Sequence, residues 1–237
     1  MINMKLTEIK SVIRESGNTN HAKTLQRFFK TGKGEYGEGD VFIGIKVPVL
    51  RKIAKDFRDL SFEDLRQLIK SKIHEERLVS LFIFVDQYKK ADEKFKEKIY
   101  SFYLKNLKYV NNWDLVDLSA PKIVGEHLLN RDKNILIKYA NSTNLWERRI
   151  AILSTYTFIR NGYFETTIQI ADILLKDKHD LIHKAVGWML RETGKCDIKI
   201  LESYLKKNYK KMPRTMLRYA IEKFPEVKRK RYLDGKI

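Results

Sequence analysis

Residues 144–160 read NLWERRIAILSTYTFIR. Asn144 is placed to cap a helix over 145–160, because a side-chain oxygen at that position accepts from the first free backbone N–H groups. Within the helix, Glu147-Arg148-Arg149-Ile150-Ala151-Ile152-Leu153 resembles Glu75-Glu76-Arg77-Leu78-Val79-Ser80-Leu81, 72 residues earlier. A further block, His183-Lys184-Ala185-Val186-Gly187-Trp188, follows at about half that spacing. Spacings near 36 residues and its double fit stacked helical pairs, which bury their apolar faces only against neighbouring pairs.

Working outward, apolar residues recur at helical spacing in blocks of 10 to 18, separated by short polar breaks. About a dozen helices are expected, near 4–15, 19–30, 48–57, 61–71, 74–88, 92–106, 113–130, 133–141, 145–160, 164–176, 179–193, 197–208 and 213–223. Pro48 suits a first helical turn, Ser61 with Asp64 forms a capping-box variant, and Asn112 is placed to cap 113–130. Strand patterns and hairpin turns are nearly absent, and no Pro/Gly/Ser-rich linker divides the chain. The expected fold is all-α: one HEAT-like repeat domain over residues 1–237, a curved solenoid of stacked antiparallel helix pairs with a concave basic groove. An irregular helical bundle is the competing arrangement.

The composition limits the function. The 48 Lys+Arg against 30 Asp+Glu leave a formal charge of +18, and a pI near 9.7 on a packed chain implies a polyanionic partner. A generally solvated basic surface is the alternative. The longest uncharged apolar stretch, around Ala151–Ile159, is too short to span a bilayer, and MINMKLTEIK lacks the apolar core of a secretory signal. The lone Cys196 excludes an internal disulfide framework and any Cys-rich zinc site. A cytoplasmic protein is expected.

Several chemistries lack their signatures. Neither a P-loop nor a strand-linked dinucleotide fingerprint occurs. His179 and His183 stand four apart without further ligands at recognisable spacing, so no metal and no cofactor are expected. The glycine-rich Thr31–Asp40 reads as a flexible turn rather than a phosphate cradle. Lys228–Arg231 reads as a solvated tail.

Three segments set Trp beside charge. Trp113 and Asp117, four apart, share a helix face, with Asp114 close by. Trp146 precedes Arg148 and Arg149, which follow the Asn144 cap. Lys184, Trp188 and Arg191 occupy adjoining turns of one face. Core packing accounts for a Trp at helical spacing, and a first-turn position accounts for Asp114. Asp117, flanked by Leu115, Val116 and Leu118, requires a partner or a role. A structural ion pair with Arg149 would satisfy it, and so would a catalytic carboxylate.

These residues resemble the AlkD-like DNA alkylation repair family, HEAT-like glycosylases that excise alkylated purines. The resemblance rests on Phe42-Ile43-Gly44-Ile45-Lys46-Val47-Pro48 with Arg51, on Trp113-Asp114-x-x-Asp117, on Trp146-x-x-Arg149, and on Ala185-x-Gly187-Trp188-x-Leu190-Arg191-Glu192. It implies Asp117 as the catalytic carboxylate, Trp113 and Trp188 as aromatic walls, and Arg149 at the DNA backbone and the carboxylate. The DNA-contacting set is Phe28, Lys46, Arg51, Arg148, Lys184 and Arg191. Phe28 stands where some members carry Tyr, and the Thr31–Asp40 loop is longer than theirs. The expected partner of the monomer is double-stranded DNA containing alkylated bases, not a membrane. The alternative is a non-catalytic DNA- or RNA-binding helical scaffold.

Overall fold

Several helices begin where a polar side chain satisfies their first N–H groups. Ser61 Oγ accepts from the Asp64 N–H at 3.2 Å, and Asn144 Oδ1 accepts from the Trp146 N–H at 2.8 Å. Pro48 is the second residue of its helix, where a missing N–H costs nothing.

The computed structural model describes residues 4–237, which form fifteen α-helices with short 3₁₀ and π segments. The first seven are α1 (Met4–Glu15), α2 (Thr19–Phe28), α3 (Val47–Asp56), α4 (Phe62–Leu68), α5 (His74–Lys90), α6 (Glu93–Lys105) and α7 (Trp113–Ala120). They are followed by α8 (Glu126–Leu128), α9 (Asn134–Ala140), α10 (Leu145–Arg160), α11 (Glu165–Ile173), α12 (Asp180–Cys196), α13 (Ile198–Asn208), α14 (Arg214–Ala220) and α15 (Glu226–Leu233). Among the described residues no strand forms, and Val41 and Ile73 make one isolated bridge.

The chain forms two compact units, one ending at Ser119 and one spanning Ala120–Ile237. In the first, α5 is central: α1, α3, α4 and α6 pack on it, and Leu78, Val79, Leu81, Ile83 and Phe84 are at most 1% exposed. In the second, α10, α12 and α14 pack successively in one layer, with α9, α11 and α13 against them. Ile150–Leu153 of α10 are fully buried. A helix apolar on all sides belongs in the interior, and each such side chain contributes about 1.5–3 kcal/mol. The fold is thus all-helical with paired, stacked helices, as the sequence pattern predicts.

The repeat register is tighter than the sequence comparison gives. Arg77, fourth residue of α5, donates from Nη1 to the carbonyls of Ser71 and Lys72, six and five residues back. Arg148, fourth in α10, does the same to Ser142 and Thr143. His183, fourth in α12, bonds the carbonyl of Asp177, six residues back. The structural spacings are therefore 71 and 35 residues. His183 is spent on this fold-back, and His179 Nδ1 accepts from the Leu181 N–H, so the pair has a local structural role.

Three expectations change. The helix expected over 113–130 is interrupted, because Pro121 has no N–H for the carbonyl four residues back; Pro121–Gly125 wind as a π-helical turn whose Pro121 carbonyl accepts from Thr157 Oγ1 at 2.7 Å. The loop over 31–40 is internally braced: Glu35 accepts from the Gly32 N–H and Glu38 from the Gly34 N–H, both at 2.9 Å. Lys228–Arg231 lie in α15, anchored by buried Tyr232.

Candidate active site

The motif Phe42–Pro48 is shaped by one carboxylate. Glu75, second residue of α5, accepts from the N–H groups of Ile43, Gly44 and Ile45 at 3.1, 2.8 and 3.3 Å. Gly44 has φ +89°, and a β-carbon there would lie 2.1 Å from the Asn18 carbonyl oxygen. No other residue fits. The turn leads directly into α3, where Lys46 is the exposed N-cap and Arg51 lays its guanidinium 4.4 Å from the Phe82 ring centre.

His74 opens α5 between two acids. Its Nδ1 meets Asp40 Oδ2 at 2.9 Å and its Nε2 meets Asp114 Oδ2 at 2.8 Å, in a site that leaves His74 1% exposed. Both ring nitrogens donate only in the imidazolium form. Burial works against that charge, yet Asp114 and Asp40 together raise the pKa to about 9. Burial would also raise Asp40, but His74, Arg77 and Asn112 lower it to about 2. Arg77 Nη2 donates to Asp40 Oδ1 at 2.5 Å and Asn112 Nδ2 to Asp40 Oδ2 at 3.0 Å. Two cations and two carboxylates thus neutralise one another below α7.

An aromatic column stands on this cluster. Phe42 stacks on His74 with ring centres 4.2 Å apart, Phe29 stacks on Phe42 at 4.6 Å, and Trp113 stacks on Phe29 at 5.0 Å. Phe28 meets Trp113 edge-on at 5.9 Å and is 63% exposed. Asn112 Oδ1 accepts from the Trp113 N–H, fixing the first residue of α7. Asp117 lies one turn further along α7, half-buried. The fold thus brings together Phe28, Trp113 and the start of the helix that carries Asp117.

In the second unit, Arg149 is buried and donates from Nη1 to the Leu181 carbonyl in the first turn of α12 at 2.6 Å. Arg148 Nε pairs with Asp177 at 2.6 Å, in addition to its fold-back on the chain. Lys184 pairs with Asp180 on its own helix at 2.7 Å. Trp188 Nε1 donates to Glu192 Oε1 at 3.1 Å, and the same carboxylate takes Arg191 and Lys195. Arg191 also pairs with Glu222 of the exposed surface. Gly187 explains how Trp188 is presented: a β-carbon there would sit 2.5 Å from the Met216 carbonyl, so α12 and α14 touch at that residue.

Asp117, Arg149 and Lys184 each occupy the fifth position of their helices, α7, α10 and α12. Arg149 and Lys184 keep the 35-residue spacing of the fold-backs and present a guanidinium and an ammonium from that register, whereas Asp117 matches them only by its position along its own helix. Sequence reading missed Asp40, His74 and Arg77 as a cluster. A His at the first position of a helix, followed by Glu-Glu-Arg, was the available signal.

Among the described residues no group of three or more His, Cys, Asp or Glu is placed to hold a metal ion, and no helix is long and apolar enough to cross a membrane. No curated protein matches the chain. A solved structure from Enterococcus faecalis, described as a predicted DNA alkylation repair enzyme, superposes with a TM-score of 0.69 over 89% of this chain and 98% of that one, at 17% identity. At that identity the likeness establishes the fold. The family model of the DNA alkylation repair enzyme matches residues 9–224. That match covers most of the chain, which accordingly belongs to the DNA alkylation repair enzyme family.

Proposed function

We propose that this chain is a DNA glycosylase that hydrolyses the N-glycosidic bond of cationic N3- and N7-alkylated purines in duplex DNA. The observation that carries the reading is the placement of Asp117, half-buried on α7 one turn beyond Trp113, whose ring meets the exposed Phe28 edge-on. An alkylated purine with a formal positive charge leaves as a neutral base, so little acid assistance is required. Departure creates an oxocarbenium-like sugar. In this reading Asp117 stabilises the developing cation and orients the attacking water, while Trp113 and Trp188 offer aromatic faces to the same charge. Arg149 supports the carboxylate and the DNA backbone, with residues 1–237 acting as one repeat domain.

The lesion's own lability supplies selectivity, so the base need not be extruded into an enclosed pocket, unlike the usual route. Lys46 and Arg51 are available for phosphate contact, whereas Arg148, Lys184 and Arg191 would have to share charge with Asp177, Asp180 and Glu222. The test is release of 7-methylguanine and 3-methyladenine from methylated duplex DNA by the wild type and by Asp117→Asn. Release by the wild type alone, with DNA binding equal in both, is the expected result. Release by neither would leave a DNA-binding scaffold, and efficient uracil release would refute the lability mechanism.

A further inference from the structure

The C-terminal end of α13 carries a cation cluster that the candidate site does not use. Lys206 and Lys207 lie in the last turn of α13, and Lys210 and Lys211 follow in the turn before α14. All four are exposed and line one open cleft of about 550 Å³, with Tyr209 and Tyr232 at its wall. The tyrosine rings meet edge to face at 5.4 Å, which fixes the wall between α13 and α15. Lys230 and Arg231 are exposed on the last turn of α15.

The local charge balance leaves this cluster in excess. On other helices Lys90, Lys96, Lys184 and Lys195 pair with acids of their own helix. Here Glu202 is the acidic residue lining the cleft, and Lys228 of α15 already meets it. Among the described residues none of Lys206, Lys207, Lys210 and Lys211 has a carboxylate partner. The carbonyl ends of α13 and α15 supply about half a negative charge each, which favours Lys206 and Lys207 but cannot offset four ammonium groups together with Lys230 and Arg231. Asp234, just past α15, removes one charge more. A net excess of about four positive charges remains, and like charges held this close repel unless a polyanion is present.

The helix that walls this cleft, α15 at Glu226–Leu233, lies beyond the 9–224 match to the family. We infer that the cleft formed by Lys206, Lys207, Lys210 and Lys211 against α15 is a second contact surface for the phosphate backbone of duplex DNA, independent of its sequence. The cluster has an open, wide mouth and aromatic rather than enclosed polar walls, which suits a phosphodiester backbone better than a small anion. Its contribution is electrostatic, with each neutralised phosphate releasing counterions.

The experiment measures binding of undamaged duplex DNA across a salt series. The proteins are the wild type, a variant with all four lysines changed to Gln, and the pair Lys210→Gln/Lys211→Gln, which spares the helix end. The slope of log affinity against log salt is expected to fall by about 2 to 4 in the fourfold variant and by about half as much in the pair. Single-turnover excision at saturating DNA should stay at the wild-type rate. An unchanged slope in both variants would overturn the inference, and so would loss of binding to vesicles containing anionic lipid with the DNA slope unchanged. A reduced slope in a protein without glycosylase activity would leave this surface standing and the catalytic proposal refuted.

Discussion

The Nε2 of His74 meets the Asp114 carboxylate at 2.8 Å, three residues before Asp117 on the same helix. This contact, with Asp40 on the other ring nitrogen, fixes the start of α7 through a buried charge and predicts a specific pH dependence. The pKa of His74 is raised from 6.5 to about 9, so the stability it contributes is full below about 6.5 and is lost as pH rises through 9. The size is on the order of 3 kcal/mol. Asp40, lowered to about 2, contributes stability above its ordinary value near 4 that is lost as pH falls toward 2. Urea denaturation from pH 5 to 10 should show the alkaline fall, and His74→Gln should remove most of it. A variant with the wild-type slope would contradict the imidazolium assignment.

Glu75→Ala should be among the more damaging single changes in the first unit. It strips the acceptor from three N–H groups at residues 43–45. Hydrogen bonds to a charged group are worth about 1.5–3 kcal/mol, so a loss of about 3 kcal/mol is expected in chemical denaturation. Glu75→Gln keeps one oxygen and should cost less.

Gly187→Ala tests the close approach of α12 and α14. The new methyl would meet the Met216 carbonyl and the Tyr219 β-carbon, both at 2.5 Å. Backbone cannot yield as a flexible side chain does, so a loss of about 1–3 kcal/mol is expected, read as a lowered unfolding midpoint. Ala at Gly34, where nothing lies within 4 Å but φ is +79°, gives a strain-only comparison.

Phe28→Ala should separate stability from function. With 63% of Phe28 exposed, the unfolding free energy should change by less than about 1 kcal/mol. The edge contact with Trp113 would vanish, so tryptophan emission should shift. If Phe28 contacts DNA, affinity for damaged duplex should fall several-fold in a titration, whereas an unchanged affinity would remove it from the interface.

The helical architecture was readable because its signals are local. The caps at Ser61 and Asn144 and the apolar blocks of α5 and α10 each lie within one helix. Long-range pairing was not readable: Asp40 and His74 are 34 residues apart, and His74 and Asp114 are 40 apart. Asp114 read as a helix-dipole partner because its counter-ion lies on another helix. Glycines made the loop over 31–40 look mobile, although its own glutamates brace it. In α15 the basic run masked the helix, which one buried aromatic, Tyr232, anchors.

Adjacent residues in the first turns of α10 and α12 carry different tasks. The fourth-position fold-backs of Arg148 and His183 define where α10 and α12 begin, and Asn112 with Asp114 does so for α7. In α10 the next residue, Arg149, is buried and tied to the Leu181 carbonyl of α12, whereas Lys184, next after His183, reaches Asp180 on its own helix. A substitution at Arg149 therefore loosens two helices at once, because the start of α12 leans on a side chain of the helix stacked against it.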